Sequence, residues 1–234
     1  MISQTIRKML PGVAAAACLS LGAAAAADPL VAAIGLEVDN PSVFVPALDR
    51  LQKSDDVGGT KLGLWVPEFS SGSGANHVVV VEYEDYADYE ARSARRLASR
   101  DWQTFIGTVS DASRLVNSLL MVQRMAAGEG WRNHGASAVY MMSVSDPVKY
   151  AQAFDRVIGA QGHPGSVRLL EVRAGSQGGV SHVVVFTAPG FAALNEYLDK
   201  LLASEDYRRF ADQVRSIRTI NAVSQYRRIQ SWGS

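Results

Sequence analysis

The sequence predicts an α+β protein in which one order of elements, β-α-β-β-α-β, occurs twice in 234 residues. The first indication is that His77-Val-Val-Val recurs as His182-Val-Val-Val. The second is that Leu97-Ala-Ser-Arg-Asp recurs as Leu202-Ala-Ser-Glu-Asp. These matches are collinear with several others at almost constant spacing, and the gaps fall in loop-like places. An internal duplication explains them better than chance does.

Hydrophobic periodicity assigns the elements of each copy. The first copy is predicted to contain strands at 31–38, 61–66, 77–80 and 115–124, a helix around 44–51 and a helical segment at 85–100. The second is predicted to contain strands at 137–144, 167–173, 182–185 and 219–228, a helix around 150–157 and a helical segment at 191–204. Each long helical segment is expected to lead into a further turn or two of helix.

The helix starts differ between the copies. Asp146-Pro147 is a good N-cap followed by a first-turn proline. Asn40-Pro41 is similar, but Pro46 lacks an N–H, so the first helix is predicted to start later or to kink.

The order β-α-β-β-α-β describes a ferredoxin-like unit, with helices on one face of an antiparallel sheet. Val78 to Val81 is apolar on both faces of its strand, which predicts that the second face is also covered. We therefore expect two units, 28–128 and 129–234, packed sheet to sheet as an intramolecular barrel.

The sequence resembles the NIPSNAP-like branch of the dimeric α/β-barrel superfamily. The resemblance rests on Tyr83-Glu-Asp-Tyr, on the arginine-rich helix after it, and on Leu97 to Phe105. The second copy fits less well, with Tyr207 where Trp102 stands. The resemblance implies two ferredoxin-like units around a cavity. It covers cofactor-free monooxygenases, haem-binding enzymes and proteins without known chemistry, so it does not choose an activity.

Residues 1–27 have a short basic head, an alanine-rich apolar run and Ala25-Ala-Ala before Asp28, which is typical of a cleaved secretory signal. A periplasmic or secreted protein is therefore expected, with no transmembrane segment after cleavage. The alternative is a lipoprotein acylated at Cys18, although the usual leucine three positions earlier is missing. Cys18 is the single cysteine, so the mature chain would have no disulfide, thiol nucleophile or thiolate metal site.

The charge balance argues against polyanionic partners. The chain has 23 basic and 23 acidic residues, and loss of the signal would remove Arg7 and Lys8. This near-neutral balance gives no reason to expect nucleic acid or anionic lipid as a partner. The oligomeric state is left open.

Strand alternation suggests which side chains line a shared cavity. Leu64 and Val66 align with Leu170 and Val172, so they are expected to pack on the helices. Trp65 and Glu171 would then face each other across the cavity as ligand-binding residues. The alternative is that Trp65 fills the core and Glu171 lies at a rim.

His77 and His182 are the candidate catalytic residues, since neutral imidazoles can act as bases near pH 7. The competing interpretation is structural: each imidazole closes the hairpin by bonding to loop backbone while its ring covers the strand end. Asn117 and Asn221 recur in the fourth strands and are candidate ligand anchors, or else mark bulges.

No metal and no cofactor are expected. His134 and His163 lack partners at metal-ligand spacing. The glycine loops match neither a phosphate-binding loop nor a dinucleotide turn, and there is no Gly-x-Ser-x-Gly. We therefore predict a small apolar or amphipathic ligand between the two sheets. The alternative is a cofactor-independent monooxygenase or isomerase-like enzyme that uses the same cavity.

Overall fold

The computed structural model describes residues 28–70, 74–128, 130–176 and 178–233. The predicted signal at 1–27, with Cys18, lies outside the described residues. No helix within the described ranges is long and apolar enough to cross a membrane.

The first half of the chain contains four strands and three helices. In chain order they are β1 (Leu30–Val38), α1 (Pro41–Gln52), β2 (Leu62–Phe69), β3 (His77–Tyr83), α2 (Tyr86–Ala98), α3 (Arg100–Val109) and β4 (Ser113–Gly128). α1 begins at Pro41 and continues through Pro46, so the predicted later start is wrong.

The second half repeats this order after a short 3-10 helix, Trp131–Asn133. Its elements are β5 (Ala136–Val144), α4 (Pro147–Gln161), β6 (Ser166–Ala174), β7 (His182–Ala188), α5 (Phe191–Ala203), α6 (Glu205–Val214) and β8 (Arg218–Trp232).

The matching Leu-Ala-Ser stretches separate two helices in each half. Ser99 is in an extended conformation, and its hydroxyl accepts a hydrogen bond from the backbone N–H of Trp102 at 3.2 Å. Ser204 caps α6 in the same way, accepting from the N–H of Tyr207 at 3.0 Å. A serine N-cap satisfies a free N–H in the first turn of a helix. The shared stretch is therefore a capping device, and the helix that follows is longer than the turn or two predicted.

The strands form one closed eight-stranded barrel in the order β1-β3-β2-β8-β5-β7-β6-β4. We had predicted two sheets packed face to face. Instead, the halves are joined by hydrogen-bonded strand pairs, β2 with β8 and β4 with β6. β4 pairs with β1 through its first part and with β6 through its second. This double pairing explains why β4 and β8, of 16 and 15 residues, exceed their predicted length.

Alternation along each strand separates two environments. In β3, Val79 and Val81 pack on the helices of the first half, while Val78 and Val80 line the barrel interior. In β7, Val184 packs on the helices of the second half and Val183 lines the interior. The prediction that the valine run is covered on both faces is confirmed.

Candidate functional site

The two histidines do not line the barrel interior. His77 and His182 are 6% and 3% exposed, and both belong to the alternate positions that face helices. The ring of His77 lies 6.3 Å from that of Phe44 in α1, and the ring of His182 lies 6.4 Å from that of Tyr150 in α4. The barrel wall stands between the two histidines, so they do not share a cavity.

Each histidine is instead part of a hairpin contact that has the same form in both halves. Nδ1 of His77 lies 2.9 Å from the side-chain oxygen of Asn76, which accepts a hydrogen bond from the N–H of Val38. Nδ1 of His182 lies 2.9 Å from the hydroxyl of Ser181, which accepts from the N–H of Val144. The structural interpretation expected a bond to loop backbone, whereas the partners here are the side chains of Asn76 and Ser181.

Burial keeps both imidazoles towards their neutral forms. Burial lowers the pKa of His77 below its ordinary value. Burial also lowers the pKa of His182, against the opposing charge of Glu171 and with the help of Arg124.

The predicted pairing of Trp65 with Glu171 is wrong in register. Trp65 lines the interior, but Glu171 lies on the other face of β6 and pairs with Arg124 at 2.7 Å. The second strand of each half pairs with the third strand, and this pairing puts Leu64 opposite Val79 and Leu169 opposite Val184. Leu64 therefore corresponds to Leu169, and not to Leu170 as the sequence alignment assumed. The one-residue gap in that alignment thus belongs before the second strand.

Asn117 and Asn221 both lie at β-bulges. The register shifts beside Asn117 in β4, and its side chain lies over Gly35, where an added Cβ would be 2.4 Å from the amide oxygen. β8 shifts beside Asn221, which is exposed and accepts from the hydroxyl of Ser143 at 3.1 Å. Neither asparagine lines a cavity described below.

The barrel interior contains an almost filled, apolar cavity of about 110 Å³. Valine, leucine and methionine side chains form most of its wall, and one end is more polar. The polar end contains Trp65, Trp131, Ser137, Arg168, Thr187 and Tyr226. Pockets for organic ligands usually measure about 300–1,000 Å³, so this space suits only a very small guest.

Partly buried charges close the polar end of the barrel. Glu82 forms ion pairs with Arg168 and Arg132 and accepts a hydrogen bond from the indole N–H of Trp131. The side chains of Glu82 and Arg168 are 17% and 16% exposed. Two cations and an indole N–H therefore compensate this partly buried carboxylate.

A much larger cavity lies between the sheet and the helices of the first half. Its volume is about 610 Å³, against about 40 Å³ for the corresponding space in the second half. The floor is apolar, and its residues come from β1, β2, β3 and α1: Ile34, Leu36, Leu62, Val79, Val81, Phe44, Leu48 and Leu51.

The difference between the two cavities originates in α2 and α5. In α5, Leu194, Leu198 and Leu201 are at most 6% exposed and fill the space above the sheet. α2 has no buried residue.

Aligning the two halves on their matching Leu-Ala-Ser stretches gives the α2 residue that corresponds to each of these leucines. Leu194, Leu198 and Leu201 correspond to Tyr89, Ser93 and Arg96. Replacing two leucines with a short serine and a charged arginine removes the apolar surface that would dock α2 on the sheet.

Charged groups also line this cavity. Arg92, Arg95 and Arg96 line it from α2, and Asp55 and Asp56 line it from the loop after α1. Gln52 also lines it, and its buried side-chain oxygen has no hydrogen-bond partner among the described residues. Within the described ranges, no group of three potential metal ligands occurs.

Sequence reasoning missed this cavity, although the signal was present in the alignment of the two copies. The residues shared by the two copies identify the fold. The cavity is indicated only by positions at which a core leucine of one copy is replaced in the other. Leu198 against Ser93 and Leu201 against Arg96 would have indicated a poorly filled helix–sheet interface.

No family model and no curated protein matches the sequence. Solved structures of similar fold include a candidate monooxygenase from Fusobacterium nucleatum, with a TM-score of 0.60 and 13% identity over 88% of this chain and 94% of that one. A candidate monooxygenase from Lactobacillus acidophilus has a TM-score of 0.59 and 10% identity over 88% and 96%. An anthrone oxidase-like protein has a TM-score of 0.55 and 14% identity over 88% and 94%.

These likenesses extend over nearly the whole described chain, but the identities are low. They show the fold and leave the activity open. The chain has the fold of the dimeric α/β-barrel proteins, an antiparallel eight-stranded barrel with six helices outside it.

Proposed function

We propose that this protein binds a small, mainly apolar organic molecule in the helix–sheet cavity of its first half. The observation that carries the proposal is the contrast between about 610 Å³ in that half and about 40 Å³ in the other. An unfilled apolar space costs stability through lost contacts, and ligand occupancy restores them.

The size and wall chemistry of the cavity support this location over the space between the sheets. A volume of about 610 Å³ lies within the usual range for organic ligands. The interior cavity, where we had expected the ligand, is about 110 Å³. Trp65 borders that interior space, whereas Glu171, Asn117 and Asn221 border neither cavity.

The test is binding of a neutral fluorescent apolar probe, N-phenyl-1-naphthylamine, to the purified protein. We expect saturable binding that Ser93→Leu weakens, because the new side chain stands at the position that corresponds to Leu198 of α5. Thr108→Leu is the control, since Thr108 is exposed on α3 and does not line the cavity. Equal binding to the Ser93→Leu variant and the unmodified protein would contradict this location.

A cofactor-independent oxygenase is the second candidate, favoured by the names of the structural neighbours. In this proposal His77 is the base; it does not itself line the larger cavity but packs on Phe44, which does. Dioxygen uptake with an anthrone substrate tests it. The expected result is turnover that His77→Gln abolishes and the matched His182→Gln retains; no uptake above the uncatalysed rate would exclude this activity for anthrones.

We also propose that residues 1–27 direct export and are removed, leaving Asp28 as the first residue of a periplasmic or secreted protein. Support comes from the basic head and the three alanines before Asp28. The N-terminal mass of protein recovered from the periplasm tests this, and acylation at Cys18 would be the contradicting result. We further propose that units 28–128 and 129–234 arose by duplication, which the collinear sequence matches support. A NIPSNAP-like relationship is also proposed, and Leu97 to Phe105 support it.

A further inference from the structure

We infer that the molecule bound in the first-half cavity carries an anionic group, which Arg95 of α2 binds at the rim. This inference rests on the proposed function and specifies the ligand class as an anionic amphiphile, such as a carboxylate with an alkyl or aromatic body. The evidence is the arrangement of the cations on α2, whose three arginines line the cavity.

Two of the three arginines are already engaged within the protein. Nε of Arg92 lies 2.7 Å from a carboxylate oxygen of Asp88. Burial is the largest single influence and would raise the pKa of Asp88, but the hydrogen bonds from Arg92 and from the N–H of Glu84, together with the charges of Arg92 and Arg95, outweigh it. The pKa is therefore lowered, and the Arg92–Asp88 pair is charged on both sides. The guanidinium of Arg96 lies 5.1 Å above the ring of Trp102 and donates to the hydroxyl of Ser93 at 3.2 Å. These contacts hold the two side chains at the cavity wall.

Arg95 differs from them. It is exposed at the rim and makes no hydrogen bond or ion pair with any residue that the structure describes, although its charge acts on Asp88 from a distance. An unpaired guanidinium beside an apolar space offers several N–H donors to a carboxylate, sulfonate or phosphate.

The carboxylates of the cavity do not cancel this charge. Of the two acidic residues that line it, Asp56 accepts a hydrogen bond from the hydroxyl of Ser99 at 3.2 Å, and Asp55 is exposed on the loop after α1. Neither aspartate forms an ion pair with Arg95 among the described residues, so the Arg95 guanidinium stays available to a ligand.

The second half provides an internal comparison. Lys200 of α5 corresponds to Arg95, and it is ion-paired with Glu196 at 2.6 Å. Leu201 corresponds to Arg96 and is buried. At the position that corresponds to Arg95, the half without a large cavity therefore has a cation that is already paired.

The experiment compares dodecanoate with dodecanol, two ligands with the same alkyl chain, by calorimetric titration of the purified protein. We expect dodecanoate to bind at least about tenfold more tightly than dodecanol, a difference of about 1.4 kcal/mol. Its affinity should fall as salt rises, because exposed charges are screened. Arg95→Gln should remove most of the tenfold preference, and Arg95→Lys should restore part of it.

Lys200→Gln is the matched control and should leave both affinities unchanged. Equal binding of dodecanoate and dodecanol, or a preference that survives Arg95→Gln, would overturn the anionic class while the cavity remains a binding site. Failure of both ligands and of the neutral probe would overturn the proposed function itself. Thermal unfolding of each variant confirms that loss of binding is not loss of folding.

Discussion

The two halves of this protein have the same order of elements, yet their helix layers are packed differently. In the second half, α5 docks on the sheet through three buried leucines, and Phe154, Phe186 and Phe210 complete the core. In the first half, α2 has no buried residue and stands over a cavity of about 610 Å³. The comparison teaches that barrel closure and helix docking are separable, because the barrel is closed by backbone pairing that does not depend on α2.

The largest expected effect comes from weakening the well-packed half. Leu198→Ala should lower the free energy of unfolding by about 3 kcal/mol, since Leu198 is 6% exposed and its loss leaves a cavity. Ser93→Ala, at the corresponding place in α2, should change it by less than about 0.5 kcal/mol. Denaturant unfolding of both variants measures the difference. Similar losses at the two positions would mean that α2 docks as firmly as α5.

A second difference between the halves lies inside the barrel. Strand pairing puts Gly63 of β2 opposite Val80 and Arg168 of β6 opposite Val185. A Cβ on Gly63 would lie 2.3 Å from the ring of Trp131, whereas Arg168 pairs with Glu82. Gly63 thus leaves room for the indole of Trp131. Arg168 stands at the matching position of the second half, and Trp131 and Arg168 both contact the carboxylate of Glu82.

Gly63→Ala should therefore destabilise the protein by about 2 kcal/mol through overpacking against Trp131. It should also change the near-ultraviolet circular dichroism, because the rings of Trp65 and Trp131 lie 5.9 Å apart. The control is Gly107→Ala in α3, where an added Cβ meets nothing within 4 Å. That change should stabilise the protein by about 0.5–1 kcal/mol. A neutral Gly63→Ala would show that Trp131 can move aside freely.

The smallest effect concerns the two histidines. Burial lowers both pKa values below 6.5, so the unfolded chain takes up these protons more readily than the folded one. Their contribution to stability is present above pH 6.5 and is lost as the pH falls below that value. We expect unfolding free energies measured at pH 7.5 and pH 5.5 to differ less in a His77→Gln/His182→Gln double variant. An unchanged pH dependence would contradict the assignment.

The pKa values of the two histidines have different causes. The negative charge of Glu171 raises the pKa of His182 and so offsets part of the lowering by burial, whereas burial alone lowers the pKa of His77. Replacing Glu171 with glutamine should therefore steepen the loss of stability below pH 6.5. The same pair of measurements detects it.

Local sequence patterns were enough to predict the order and type of the elements. Period-two and period-3.6 patterns, the Asp146 cap and the recurrence of His-Val-Val-Val all depend on local chemistry that a linear chain displays. Even the function of the repeated serine is local, because a side-chain cap reaches only three residues ahead.

Tertiary structure decided how strands join and which faces meet. β4 and β8 each pair with two partners from different halves, so the sheets close edge to edge, and no local pattern records such a distant hydrogen bond. The alignment of the two halves has a one-residue gap, which belongs before β2. Placing the gap after β2 assigns Glu171 to the wrong face of its strand, since side chains alternate along a strand. The candidate site was missed for a related reason. A cavity is the absence of packing, and it becomes visible only when the position of α2 above the sheet is known.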